Sequence, residues 1–289
     1  MSEIKKVDTR LSYSSATLLK NCSQKYYYHK VSGVAKDPDS EDNMDAFNVG
    51  KTFHAVLENN NHTSDRLEDL LEEAVEIYDT KEFKGMIHAM LLRYLQVHKK
   101  SGLEVVKCEM LLDSPMFLGF VDVILKNPVN GEWWIADLKT AARLSEVTLA
   151  KLRSDVQLNL YSYFYKTMGS ALGLDPDKFM GARYRVTTKS KLTKKINEGY
   201  KEFVIRTAKN VKSYDVVVRK EDMAIEDTFK EHKKLHTKTM RLRSGKEKPV
   251  KNLSYCDSFF RPCEFFSHCH GKTFTESRKA VEMVTSDNV

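Results

Sequence analysis

The stretch "WWIADLKTA", residues 133–141, is an apolar run that carries an acid and a lysine near its end. Side chains alternate along a strand, so Asp137 and Lys139 would project from one face while Leu138 points to the opposite face. Buried charges are costly unless they are paired or bound to a ligand. The stretch therefore predicts a carboxylate and an ammonium at one site, balanced by a metal ion, a substrate or a salt bridge.

Two further acids precede this stretch in β-rich runs, Glu109 in "LEVVKCEMLL" and Asp122 in "MFLGFVDVIL". Carboxylates that converge from neighbouring strands form an oxygen-rich site suited to Mg²⁺ or Mn²⁺. Such an ion can polarise a phosphodiester, and Lys139 beside it can orient the attacking water or offset developing negative charge. The combination indicates hydrolysis of a nucleic-acid backbone, although each of these residues taken singly could be a strand-end surface charge.

The elements that must position these residues follow from the apolar spacing. Helical spacing predicts helices over residues 47–59, 64–78 and 81–100, before the β-rich runs. The turn signals "DSP" and "NPVNG" divide three runs into an antiparallel meander. A helix over 146–168, a strand at "GARYRVTT", further strands at "EFVIRTA" and "YDVVVR", and a Lys-rich helix over 220–243 come next. The predicted fold class is α/β (α+β).

The bulk composition limits the class of protein. A chain of 289 residues with 41% apolar content can form one large domain or two small ones. It contains no apolar run of about 20 residues and no secretory h-region, so we expect a cytosol-like compartment and no membrane. Residues 189–251 hold nineteen Lys or Arg against nine Asp or Glu, which favours a polyanionic partner. The candidate phosphate contacts are Arg153, Arg183, Arg185 and Lys189.

The spacing of the polar residues resembles a known family. The motifs are "GFVD" with Gly119 and Asp122, "DLK" with Asp137 and Lys139, and "QLNLY" with Gln157 and Tyr161 on one helix face. Together they resemble the PD-(D/E)XK nuclease superfamily, specifically its RecB-like branch with the third signature Q-x-x-x-Y. The upstream "NVGKTFHAVLE" resembles the G-x-x-x-H helix of that branch, which would make His54 a metal ligand.

The resemblance implies a restriction-endonuclease-like mixed sheet flanked by helices. It implies a metal-dependent DNA exonuclease acting on single-stranded DNA or DNA ends, in recombination, repair or processing of phage or prokaryotic DNA. The implied Mg²⁺ or Mn²⁺ ligands are His54, Asp122, Asp137 and the Leu138 carbonyl. Lys139 would assist the attacking water, and Gln157 and Tyr161 would position the lysine and the DNA backbone. Glu109 is either a further member of the site or a strand surface charge.

The same resemblance gives a domain organisation and an alternative. Residues 1–289 would form a single nuclease domain, with a helical part at about 12–100, a nuclease core at about 101–218 and a basic helix with a cysteine cluster at about 219–275. The alternative is a non-catalytic DNA-binding or scaffold protein of the same fold, acting with a helicase or recombinase. The intact set of polar motif residues argues against loss of catalysis.

Five cysteines in a reducing compartment favour metal binding, catalysis or core packing over disulfides. By resemblance to the iron-sulphur members of the RecB-like branch, Cys22, Cys256, Cys263 and Cys269 would hold a 4Fe-4S cluster and so join the N- and C-terminal segments. The C-x5-C spacing of Cys263 and Cys269 matches those members, but Phe260 stands where they have another cysteine. Zinc, with His268 or His270 as a substitute ligand, and free buried thiols are the alternatives.

Overall fold

The computed structural model describes residues 9–37, 45–146, 150, 152, 154–258 and 261–272. Arg153, one of the candidate phosphate contacts, lies outside these residues. The chain divides into two compact units, one made of residues 43–230 and the other of residues 1–42 together with 231–289. The prediction of a single nuclease domain stays a prediction, and each unit is described by itself.

The larger unit is built on a five-stranded mixed sheet with the strand order β1-β2-β3-β4-β5. Strands β1 to β3 form the antiparallel meander, β3 pairs with β4 in parallel, and β4 pairs with β5 in antiparallel orientation. The predicted meander and the strands at "GARYRVTT" and "YDVVVR" are therefore confirmed. The strands are β1 Glu104–Asp113, β2 Leu118–Lys126, β3 Trp133–Ala141, β4 Phe179–Thr188 and β5 Ser213–Arg219.

Helices cover both faces of this sheet. The three helices predicted before the meander are confirmed as α3 Asp45–Asn59, α4 Leu67–Ile77 and α5 Lys84–His98. Their apolar stripes pack on one face, where β3 contributes Ala136 and Leu138. The helices α6 Val156–Ser162 and α7 Tyr165–Leu172 supply apolar side chains to the other face, where β3 contributes Trp133 and Ile135. The predicted mixed sheet flanked by helices is confirmed.

Two local predictions are wrong. The run "EFVIRTA" lies in a helix, α8 Tyr200–Asn210, rather than in a strand. The side chains at Phe203, Val204 and Thr207 are buried at helical spacing, and Gly85 on α5 lets the Phe203 ring approach so closely that a Cβ there would lie 2.6 Å from it. Packing against α5 therefore outweighs the β propensity of the run. The single helix predicted over 146–168 is interrupted between α6 and α7.

The smaller unit joins segments from distant parts of the sequence. It contains α1 Tyr13–Asn21, α2 Ser23–Tyr27 and a π-helical turn at Tyr28–Ser32. Residues from Glu231 onward in α9 Ile225–Arg243 belong to it, as do the two-residue strands β6 Asp257–Ser258 and β7 Arg261–Pro262 and the short helix α10 Phe266–His270. The predicted Lys-rich helix is confirmed as α9.

Hydrogen bonds connect the two segments of the smaller unit. The Gln24 amide donates to the Val250 carbonyl at 3.1 Å, and the Asp37 amide donates to the Glu264 carbonyl at 2.8 Å. Leu11, Leu19, Tyr26 and Leu242 form its buried apolar cluster.

Among the helices in the described residues, none combines the length and the apolar character needed to cross a membrane.

Candidate active site

The site begins where β2 and β3 diverge, beyond the paired residues Val123 and Ala136. The Leu138 amide donates to Oδ2 of Asp122 at 2.7 Å, so the backbone of β3 holds this carboxylate. Burial raises the pKa of Asp122, and the bond from Leu138 acts in the opposite direction. Strand pairing therefore fixes one carboxylate beside the backbone of the next strand.

Asp137 and Lys139 do share one face of β3, as their spacing predicts. The ammonium of Lys139 donates to Oδ1 of Asp137 at 2.9 Å, and it lies 2.8 Å from Oδ2 but outside hydrogen-bonding geometry. Asp137 is 1% exposed, and burial raises its pKa to about 7 in spite of Lys139. For Lys139, whose side chain is 41% exposed, burial lowers the pKa, but attraction to Asp137 and Asp122 outweighs it and the net shift is upward.

Helix α6 orients the lysine from the neighbouring layer. Its N-cap is Asp155, whose side chain accepts from the Leu158 amide and fixes the start of the helix. Gln157 then accepts from the Lys139 ammonium at 3.2 Å through Oε1 and donates to the Tyr161 hydroxyl at 3.1 Å through Nε2. The order Asp137, Lys139, Gln157, Tyr161 is thus a continuous chain of hydrogen bonds.

Gly119 makes room for this chain of bonds. A Cβ at this position would lie 2.7 Å from the Phe117 ring and 3.0 Å from the Tyr161 ring. A larger residue would displace Tyr161 and with it Gln157. The glycine of the "GFVD" motif therefore has a packing role that the sequence pattern alone does not reveal.

His54 reaches the site from α3. Its Nδ1 lies 3.8 Å from Oδ2 of Asp122, and the ring also hydrogen-bonds to the Leu138 carbonyl. Burial lowers the pKa of His54 to about 4, outweighing the attraction of Asp137. The imidazole is therefore neutral near pH 7, which is the form that binds metals.

Glu109 and Glu58 line a cleft together with His54, Leu138 and Lys139. Glu109 adopts a left-handed backbone conformation, with φ of 45°, inside strand β1, and such strain is found at functional sites. Burial, Asp122 and Glu58 together raise the pKa of Glu109 to about 7. Sequence reasoning missed Glu58, although its position one helical turn after His54 is a usable signal.

The oxygen and nitrogen atoms of these residues are suitable ligands for a divalent cation. The cleft combines carboxylates, a neutral imidazole and a backbone carbonyl, and Oδ2 of Asp137 is buried without a hydrogen bond. Burial is the main cause of the raised pKa values of Asp122, Asp137 and Glu109, and a bound cation would offset the cost of burying their charges. Within the residues that the structure describes, no three His, Cys, Asp or Glu side chains already stand at metal-binding distances from one point.

The predicted phosphate contacts separate into two groups. Lys189 lies in the cleft, where its ammonium donates to the Ala46 carbonyl at 2.6 Å. Arg183 instead makes two 2.9 Å bonds to Asp215, and Arg185 is 2% exposed and donates to the Tyr94 hydroxyl. The structure therefore brings only Lys189 of the described candidates to the carboxylates.

In the smaller unit, the four predicted cysteines line one small enclosed cavity. Burial raises the pKa of Cys269, and the thiols of Cys263, Cys22 and Cys256 raise it further while Lys251 lowers it. Two backbone amides point at sulphur atoms, since the Lys25 amide donates to Cys22 at 3.4 Å and the Phe265 amide donates to Cys263. The cysteines distant in sequence are thus neighbours in space.

The sequence matches a known protein family. Residues 10–270 match the PD-(D/E)XK nuclease superfamily, a span that includes every motif discussed above. Curated proteins yield no significant match to the sequence.

Among solved structures, the fold is similar to a protein from Eubacterium rectale that is provisionally described as an exonuclease. The TM-score is 0.52 and the sequence identity is 13%, with 94% of this chain and 99% of that chain covered. At this identity the likeness concerns the fold, and it confirms the restriction-endonuclease-like architecture predicted from the sequence.

Proposed function

Because the chain belongs to the PD-(D/E)XK nuclease superfamily, we propose that it is a metal-dependent exonuclease that hydrolyses phosphodiester bonds of single-stranded DNA or DNA ends. The observation that carries this proposal is the chain of hydrogen bonds from Asp137 through Lys139 and Gln157 to Tyr161 beside the held carboxylate of Asp122. The provisional description of the similar fold supports the exonuclease assignment.

In this proposal His54, Asp122, Asp137 and the Leu138 carbonyl hold Mg²⁺ or Mn²⁺, and Glu109 contributes from β1. When bound, the ion acts as a Lewis acid at the scissile phosphate and makes a bound water more acidic. Asp137 supplies the buried oxygen that makes no hydrogen bond, and His54 stays neutral because burial lowers its pKa to about 4.

Lys139 performs the second task of the site. Its ammonium carries a full charge near pH 7 because attraction to Asp137 and Asp122 outweighs burial and raises its pKa. Held between Asp137 and Gln157, it can orient the attacking water and offset the negative charge that develops on the phosphate. Tyr161 fixes Gln157, and Lys189 at the edge of the cleft can contact the DNA backbone.

The test is degradation of end-labelled single- and double-stranded DNA with Mn²⁺, comparing wild type with Asp137→Ala and Lys139→Ala. We expect both variants to lose at least about 100-fold in rate, the usual scale for removing a charge-stabilising group. Asp177→Ala and Lys166→Ala, which change exposed residues away from the cleft, are the controls. Activity that survives both site changes would reject the assigned residues, and inactivity of wild type with Mg²⁺ and Mn²⁺ would reject the nuclease.

We also propose that Cys22, Cys256, Cys263 and Cys269 hold a 4Fe-4S cluster. Their common cavity and the amide bonds to two of the sulphur atoms support this, because such bonds stabilise cluster sulphur. His270 lies 3.6 Å from Cys256 through Nε2, so zinc with mixed ligands is the competing occupant. The role of the proposed cluster would be to join the two segments of the smaller unit.

Anaerobic purification tests this assignment directly. A four-thiolate cluster should give a brown protein with about four irons per chain. Cys263→Ser should lose most of the iron, whereas Cys108→Ser, which changes the cysteine that lies in the larger unit, should keep it. Stoichiometric zinc in a colourless preparation would overturn the cluster.

The proposed setting is recombination, repair or DNA processing in a reducing cytoplasm, where cysteine thiols remain available for a cluster.

A further inference from the structure

A second cleft lies in the larger unit, between the start of α5, the segment that follows β4 and the start of α8. Its volume is about 660 Å³, close to the 680 Å³ of the active-site cleft. It is lined by residues 81–86, 190–194, Tyr200 and Phe203. Both volumes fall in the roughly 300–1,000 Å³ range typical of ligand sites.

The two clefts adjoin along the chain at two points. Lys189 lines the active-site cleft and Ser190 lines the second cleft, so consecutive residues connect them. Tyr78 and Lys81 likewise line the first and the second cleft, three residues apart between α4 and α5. We call the two clefts together the basic groove.

The lining of the second cleft is mostly basic. The second cleft is lined by four lysines, Lys81, Lys84, Lys191 and Lys194, against one acid, Glu82. Lys81 and Lys84 pair with glutamates outside the groove, whereas Lys191 and Lys194 are exposed and form no ion pair in the described part of the chain. The groove thus offers uncompensated positive charge next to the proposed hydrolytic site, which suits a phosphate backbone.

Two exposed aromatic rings lie beside lysines of the groove. Phe47 in the active-site cleft is 56% exposed, and Tyr200 in the second cleft is 39% exposed. The ammonium of Lys51 lies 4.3 Å from the centre of the Phe47 ring, and that of Lys84 lies 5.5 Å from the centre of the Tyr200 ring. Exposed rings between cations are the pattern by which proteins bind single strands, since bases stack on the rings.

We propose that the basic groove binds single-stranded DNA, with Lys191 and Lys194 on the phosphates and Tyr200 and Phe47 stacked on bases. The proposal rests on the nuclease function and names the strand that leads into the site. A duplex keeps its bases stacked inside and offers them to neither ring, so the groove discriminates between the two substrates. If only the lysines contacted phosphates, the groove would bind single-stranded and duplex DNA alike.

The test measures binding of a fluorescent 25-nucleotide oligo-dT and of a matched duplex by anisotropy, with EDTA present to prevent hydrolysis. Lys191→Glu/Lys194→Glu should weaken oligo-dT binding at least about 10-fold and lower the salt slope by about 1.4, from about 0.7 per single-strand phosphate contact. The control is Lys166→Glu/Lys209→Glu, an equal charge change at exposed lysines outside both clefts. It should leave the slope unchanged.

Ring removal tests the stacking contact separately. Tyr200→Ala should weaken oligo-dT binding about 5- to 150-fold, from the roughly 1–3 kcal/mol that one stacked base contributes. Tyr200→Phe keeps the ring and should bind like wild type, and Phe47→Ala provides a second ring variant if Tyr200→Ala fails to fold.

If Lys191→Glu/Lys194→Glu and Lys166→Glu/Lys209→Glu weaken DNA binding equally, the proposal that the groove binds DNA is wrong. Tighter binding of duplex than of oligo-dT, or binding that is insensitive to both ring removals, would overturn its single-strand preference. In either case wild type would still degrade DNA with Mn²⁺, whereas failure of the proposed function would appear as no degradation at all.

Discussion

Asp137→Asn should make the metal-free protein more stable while abolishing its activity. The carboxylate is 1% exposed, one of its oxygens makes no hydrogen bond, and burial raises its pKa from 3.8 to about 7. A raised acid pKa means that the native state binds more protons than the unfolded state between those pH values. Stability contributed by the protonated acid is therefore lost as pH rises from about 4 to 7.

The size of the stability gain follows from the shift in the pKa of Asp137. Each pKa unit corresponds to about 1.4 kcal/mol, so about three units give roughly 4 kcal/mol at pH 8. The side chain of Lys139 is 41% exposed and admits water beside the carboxylate, which screens its charge. We therefore expect Asp137→Asn to raise the free energy of unfolding by roughly 2–4 kcal/mol at pH 8. Asn keeps the size of the side chain and carries no charge, which removes this cost.

Urea unfolding with EDTA at pH 8 and pH 4.5 is the assay. Both tryptophans of the chain, Trp133 and Trp134, lie in β3, so their fluorescence reports on the larger unit. The variant should exceed wild type by roughly 2–4 kcal/mol at pH 8 and by less than about 1 kcal/mol at pH 4.5. Asp177→Asn, an exposed acid, should show neither difference.

Adding Mn²⁺ completes the experiment. At one hundred times its Kd the ion should stabilise wild type by about 2.7 kcal/mol. It should not stabilise Asp137→Asn to the same extent, because the buried oxygen is no longer a carboxylate. A variant no more stable than wild type at pH 8, or equal stabilisation of both by Mn²⁺, would refute the reasoning.

Three further changes test other parts of the larger unit. Gln157→Leu removes the bond to Lys139 and should lower kcat about 10-fold with little change in KM, measured by initial rates. Glu109→Gly relieves the left-handed backbone, which should add about 1 kcal/mol to the free energy of unfolding in urea beyond the effect of losing the carboxylate, and it should slow hydrolysis. Asp215→Ala leaves Arg183 unpaired and should cost about 3–5 kcal/mol in the same assay. Burial alone would raise the pKa of Asp215, but bonds from His98 and Arg183 lower it, so wild type loses this stability as pH falls below about 4.

Matched changes separate these effects from general damage. Gln157→Glu keeps an acceptor for Lys139 and should retain more activity than Gln157→Leu. Glu109→Ala loses the same carboxylate but keeps the strained backbone, so it should be about 1 kcal/mol less stable than the glycine variant. If Asp215→Ala costs less than about 1 kcal/mol, its guanidinium partners are solvated and the buried-pair account is wrong.

Local patterns were sufficient to predict the strands and the motif residues. The β-rich runs are separated by turn signals, so β1 to β3 and their acids could be located without knowledge of any long-range contact. The hydrogen bond from the Leu138 amide to Asp122 could not be predicted from local patterns, because it depends on how β2 and β3 diverge. Glu58 follows His54 by one helical turn, but its proximity to Glu109 is a long-range contact that the sequence of α3 does not show.

Partners distant in sequence determine features that local composition does not show. Arg183 and Arg185 have the charge expected of phosphate contacts, but Asp215, about thirty residues later, pairs with Arg183, and Tyr94 accepts from Arg185. The "EFVIRTA" run has strand-like composition, but it forms a helix whose Phe203 ring packs in the space that Gly85 on α5 leaves. Local sequence indicates which interactions a residue can make, but contacts with residues distant in sequence determine which of them form.

The smaller unit also sets an order in which the protein can be made. Its first 42 residues leave the ribosome early, but their partners begin at residue 231, after the 188 residues that form the larger unit. At roughly 5–20 residues per second, the N-terminal segment waits about 10–40 s for those partners. Until then Cys22 lacks the three cysteines that line its cavity with it. The proposed cluster would therefore be loaded late in biogenesis, and a stalled chain would contain the proposed hydrolytic residues without it.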